Sequence, residues 1–79
     1  MALSQRDLAV LALERRTFRR RGEKEQAVRD ELDMSAVRYY QRLNALLDDP
    51  EALAADPALV HRLRRLRAER TAAWNGDDD

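Results

Sequence analysis

The sequence predicts an all-α protein, a small helical bundle with a helix-turn-helix core and an additional C-terminal helix. Three observations carry this expectation. Apolar residues recur at spacings of three and four rather than in alternation. Capping residues stand just ahead of most of the periodic stretches. The stretch "DELDMSAVRYYQRLNALL", residues 30–47, joins two such stretches through a corner with room for only three or four residues.

Taken in order, Ser4 followed by Asp7 caps a first helix, with the hydroxyl accepting a backbone N–H and the acid suiting the positive end of the dipole. This helix is expected over about residues 5–20, with Leu8, Leu11, Ala12 and Phe18 as its apolar stripe and Val10 and Leu13 widening the arc. It should end in "RRRG", with Gly22 taking the left-handed stop conformation. A second helix over about 23–32 would bury Ala27, Val28 and Leu32, and Ser35 caps a third that runs to about Leu47. Asp49-Pro50 and Asp56-Pro57 each place a cap before a proline at the first helical position, which predicts a short helix over 50–55 and a longer one over 57–72. Leu59, Val60, Leu63 and Leu66 form the apolar stripe of that last helix. The expected division is one domain over 1–73 and an acidic, flexible tail over 74–79.

A chain of 79 residues has room for one small domain with little core to spare. It has no cysteine and only His61 among histidines, so neither a disulfide framework nor a Cys/His metal centre is expected. No apolar run approaches the ~20 residues that span a bilayer, and "MALSQRDLAV" lacks the features of a secretion signal. A cytoplasmic protein, without a membrane partner, is the expectation. One histidine, no cysteine and no glycine-rich phosphate loop also argue against an enzyme, and no small-molecule ligand is expected.

The net charge is zero, yet the charges are segregated. Residues 1–22, 34–47 and 57–70 are net basic, whereas 23–33, 48–56 and 71–79 are net acidic. Such blocks can build a basic face on a neutral protein. Fourteen of the fifteen basic residues are arginine, which suits phosphate and base recognition but is equally compatible with a GC-rich genome.

A helix of about ten residues, a short corner, a serine cap and a longer helix form the helix-turn-helix arrangement, whose second helix usually enters the DNA major groove. Two common markers differ: Arg29 stands where a small residue is usual, and Asp33 where the turn glycine is usual. With Tyr40, Leu43 and Leu47 turned inward and Tyr39 and Leu46 beside them, Ala36, Val37, Arg38, Gln41, Arg42 and Ala45 face outward. Arginine grips guanine and glutamine grips adenine, so Arg38, Gln41 and Arg42 are candidate base readers; the alternative is that they merely solvate an exposed helix. The two tyrosines could both be buried, or one could face a phosphate with its hydroxyl; at least one should pack in the core. Arg19, Arg20 and Arg21 are candidate phosphate contacts, or else complement the helix dipole and the acids of the second helix. The last helix, "HRLRRLRAER", should pack its leucines on the core, with Arg64, Arg65 and Arg67 as further candidates for DNA.

Residues 24–67, together with "LSQRDLAVLALER", resemble a small actinobacterial family catalogued as a domain of unknown function. The resemblance rests on the K-E-Q-A start, the M-S-x-x-R-Y-Y-Q-x-L-N-x-L-L helix and the D-P-x-A-L-x-x-D-P segment. It implies a helix-turn-helix-like, DNA-binding protein of transcriptional or nucleoid-associated kind with no cofactor, and by position it implicates Ser35, Arg38, Tyr39, Tyr40, Gln41 and Asn44. Thr17-Phe18 and Asp33 stand where relatives tend to have an aromatic pair and a glycine.

The expectation is therefore a DNA-binding protein of the nucleoid, with helix 3 in the major groove of double-stranded DNA. Its contacts would be Ser35, Arg38, Tyr39, Gln41, Arg42, Asn44 and the arginines 19–21. A homodimer through the last helix and Trp74 would add palindromic specificity. The rival is an adaptor that docks on the transcription machinery without touching DNA.

Overall fold

A computed structural model describes the backbone of residues 3–76 and the side chains of residues 3–71. The helices begin where the sequence places their caps. Ser4 and Asp7 form a reciprocal capping box for α1 (Gln5–Arg15): the Asp7 amide donates to Ser4 Oγ at 3.0 Å, and the Ser4 amide to Asp7 Oδ2 at 3.4 Å. Ser35 Oγ accepts from the Arg38 amide to start α3 (Ala36–Leu46). Asp49 and Asp56 do the same ahead of the prolines that open α4 (Pro50–Ala55) and α5 (Pro57–Gly76). Only α2 (Arg21–Leu32) starts without a side-chain cap. No strand occurs among the described residues.

The corner between α2 and α3 behaves as the sequence requires. Asp33 takes the left-handed conformation at φ 54°, which turns its amide onto the Arg29 carbonyl and the Met34 amide onto the Val28 carbonyl. Val28, Tyr39 and Leu43 close the corner from inside, with Leu32 and Met34 half-buried beside them.

The first connection differs from expectation. α1 ends at Arg15, not near residue 20, and the chain is non-helical over 16–20 before α2 starts at Arg21. Gly22 consequently lies in the first turn of α2, and no glycine takes a positive φ among the described residues. The early break folds Phe18 back on the core, half-buried, with the Arg16 guanidinium 5.1 Å above its ring.

The buried face of α1 also differs. Leu8 is 48% exposed and Ala12 is exposed, while Asp7, Val10, Leu11 and Leu13 are buried. The inward stripe runs through Asp7, Val10, Leu11 and Glu14, which is a proper helical spacing that includes two carboxylates. Each carboxylate is met by a cation from another helix. Arg42 of α3 closes on Asp7, and Lys24 of α2 lies 2.6 Å from Glu14.

α1 packs against α2, α3 and α5, α2 against α3, and α4 against α5. Val10, Leu11, Tyr39, Leu46 and Val60 are nearly inaccessible at the centre. The helix α5 continues to Gly76, beyond the expected end near 72 and into the expected tail; residues 77–79 and the Trp74 side chain lie outside what the structure describes. No helix among the described residues is long and apolar enough to cross a membrane.

Candidate nucleic-acid interface

α3 has three faces, and the sequence-predicted residues are divided among them. The inner face is Tyr39, Leu43 and Leu46. Tyr39 is fully buried, with its hydroxyl against the Val10 carbonyl and the Glu14 carboxylate, so it cannot meet a phosphate. Burial, then the hydrogen bond to Glu14, pushes the phenol well above its usual range and keeps it neutral. Its neighbour Tyr40 is the half-buried member of the pair, edge-on at 5.2 Å, which reverses the expected assignment. The reason lies on α1 and α2: only Tyr39 reaches the Glu14–Lys24 pair through its hydroxyl.

The outer face carries Val37, Arg38, Gln41 and Ala45, all exposed. Val37 is 67% exposed, and neither the Arg38 guanidinium nor the Gln41 amide has an intramolecular partner among the described residues. Arg42 stands at the edge of this face but is not free. Its Nε and Nη2 donate to Asp7 Oδ1 and Oδ2 at 2.6 and 2.7 Å. That fork holds the Asp7 carboxyl below the ordinary carboxylate range, ahead of the opposing cost of burial. The expectation of Arg42 as a free base reader is corrected accordingly: its charge is already matched, although half of the side chain remains exposed.

The third face looks toward α5. Side chains advance by about 100° per residue along a helix, so Tyr40 and Leu47 point about half a turn away from Arg38. Here Asn44 Oδ1 accepts from Arg67 at 2.8 Å, and Arg67 also bonds Asp48 at 2.9 Å. Arg64 donates to the Leu47 carbonyl at 2.5 Å, sealing the end of α3. Asn44, Arg64 and Arg67 thus hold α5 on α3. Arg20 and Arg21 line the same side, facing a trough of about 820 Å³ between the 16–20 segment, α3 and α5. The structure therefore brings Ser35, Arg38 and Gln41 together and puts Asn44, Arg20 and Arg21 on the opposite flank. Arg19 is exposed beside them in the chain.

The segregated charges find one another across the helices. Arg42–Asp7, Lys24–Glu14, Arg16–Glu31, Arg15–Asp56 and Arg67–Asp48 each join different parts of the fold. Among the described residues no cluster of three His, Cys, Asp or Glu side chains offers a metal site.

A family model described as a protein of unknown function, DUF3263, matches residues 2–74. The chain belongs to the DUF3263 family. No curated protein and no solved structure matches it. The match covers α1 to α4 and α5 as far as residue 74 of this DUF3263 chain, so the capping box, the left-handed corner and the buried Tyr39 all lie inside the family's own unit.

The pairing of Asp7 with Arg42, and of Glu14 with Lys24 and Tyr39, is not legible from the apolar members of the α1 stripe alone. The available signal was two acids seven residues apart on one helical face with Val10 and Leu11 between them.

Proposed function

We infer that this DUF3263 protein binds double-stranded DNA, with α2 and α3 acting as a helix-turn-helix and the outer face of α3 in the major groove. The observation that supports this best is Arg38: an exposed guanidinium without an intramolecular partner among the described residues, beside Gln41, on a helix whose opposite side is locked into the core. Arginine and glutamine can each make two hydrogen bonds to a base edge, and Val37 and Ala45 leave the helix low enough to approach. Ser35, already spent on the cap, would offer its remaining lone pair and hydroxyl near a phosphate. Arg42 would contribute the free edge of its guanidinium, with its charge largely offset by Asp7. A transcriptional or nucleoid-associated role follows from this reading.

The test is fluorescence anisotropy with mixed-sequence duplexes at several ionic strengths. Binding should weaken steeply between about 50 and 200 mM salt, because each neutralised phosphate releases counterion. Arg38→Ala should cost about tenfold in affinity at an unchanged melting temperature. A flat salt response, or equal affinity for Arg38→Ala, would favour the adaptor reading, in which the same faces meet an acidic protein.

A further inference from the structure

The trough opposite Arg38 is a second surface, and it does not depend on DNA binding. Its floor is apolar: Leu43 and Leu47 at the bottom, with Phe18, Tyr40 and Leu63 half-buried and Leu66 45% exposed on the wall. Its rim is cationic. Arg16, Arg20, Arg21, Lys24, Arg67 and Arg70 line it, against Glu14 as the one acid of the lining. Several of these are matched, Lys24 by Glu14, and Arg16, Arg21 and Arg67 by Glu31, Glu25 and Asp48. Arg20, on the 16–20 segment, and Arg70, on α5, have no partner among the described residues.

We propose that this trough binds an acidic amphipathic helix of a partner protein, with its aliphatic stripe on Leu66, Leu63 and Tyr40 and its carboxylates on Arg20 and Arg70. α3, α5 and the 16–20 segment supply most of the wall, with Glu14 of α1 and Arg21 and Lys24 of α2 completing it, so a helix laid along it meets ridges it can interdigitate with. A phosphodiester backbone would satisfy the rim but leave the leucines uncovered. A second copy of the chain, joined through the same trough by a two-fold axis, would bring the unmatched arginines of both copies together. An acidic helix complements both the floor and the rim.

The test uses the full chain and a fluorescein-labelled synthetic helix of about 16 residues, with leucines at i, i+3, i+4 and i+7 and glutamates elsewhere. A scrambled peptide of the same composition is the control. The ordered peptide should bind at least about tenfold tighter than the scrambled one. Leu66→Asp and the double variant Arg20→Glu/Arg70→Glu should each weaken it at least about fivefold without lowering the melting temperature, and Leu66→Ser replaces Leu66→Asp if that variant melts early. Arg38→Ala should bind the peptide as the parent does. Peptide binding in a protein that ignores duplex DNA would support the trough while removing the DNA reading. Equal binding of the two peptides, or no effect of the trough variants, would overturn the proposal. So would loss of duplex binding, with peptide binding intact, in Arg20→Glu/Arg70→Glu, since the occupant would then be phosphate. Sedimentation showing a dimer that Leu66→Asp dissociates would assign the trough to a second copy instead.

Discussion

On the seam between α1 and α3, Arg42 closes on the buried Asp7 carboxylate and Tyr39 on Glu14; one turn away Arg38 has no partner among the described residues, and one residue away Tyr40 is half-exposed. Arg42 and Tyr39 each have a counterpart of the same type elsewhere on α3, Arg38 on the outer face and Tyr40 on the face toward α5. What separates them is the neighbouring helix: α1 offers the seam two carboxylates, one for Arg42 and one for Tyr39. An arginine or tyrosine on a helix therefore takes its task from the element opposite, and substitutions at paired positions should reveal the asymmetry.

The largest difference should come from the tyrosines. Tyr39→Ala removes a fully buried ring and strands Glu14 with Lys24 alone, at a cost of about 3–5 kcal/mol. A core this small rarely supplies more than about 3–5 kcal/mol, so circular dichroism should find Tyr39→Ala largely unfolded and Tyr40→Ala folded.

Next come the arginines. Breaking a buried pair costs several kcal/mol, but Arg42 is 46% exposed, and water screens part of that loss. Urea titration should give about 1–2 kcal/mol for Arg42→Ala and less than about 0.5 kcal/mol for Arg38→Ala. Equal losses would mean that Arg38 also has a structural partner.

The same seam fixes the acid limb of stability. Asp7 has a lowered pKa in the folded protein, chiefly through the Arg42 hydrogen bonds. Its contribution is fully present above the unfolded carboxylate value of about 4 and is lost as pH falls through the lower folded value. Asp7→Asn should therefore show a shallower fall in melting temperature below about pH 4 than the parent. An identical acid limb would place the titrating group elsewhere.

The smallest effects concern the two turn positions. Asp33 is left-handed and sits at a helix C-terminus, where a carboxylate opposes the dipole, so Asp33→Gly should stabilise by about 1 kcal/mol. Gly22 is helical, and an added Cβ would meet nothing within 4 Å. Gly22→Ala should accordingly stabilise by about 0.5 kcal/mol, whereas a left-handed stop at Gly22 would make it destabilising.

Much of the fold was legible in the sequence because it is local. Ser4, Ser35, Asp49 and Asp56 each satisfy an amide a few residues away, and the corner at Asp33 follows from the spacing of Val28, Met34 and Ser35. The end of α1 was not legible. "ERRTFRRRG" contains no proline and can continue a helix; the break at Arg16 is set by Phe18 returning to the core. The site was half legible for the same reason. Periodicity put Arg38 and Gln41 outside, but it could not foresee that Arg42 would find Asp7, thirty-five positions earlier.

The most direct measurement of the division between the two sides of α3 is a 15N-resolved NMR titration of the labelled protein with duplex DNA, following the side-chain Nε–H of Arg38 and the Gln41 amide together with the backbone of α5. The account expects the Arg38 and Gln41 signals, and the amides of residues 35–42, to shift with the duplex while α5 signals from Leu63 to Arg70 stay in place. Shifts confined to the α5 side, or none on the outer face of α3, would contradict it.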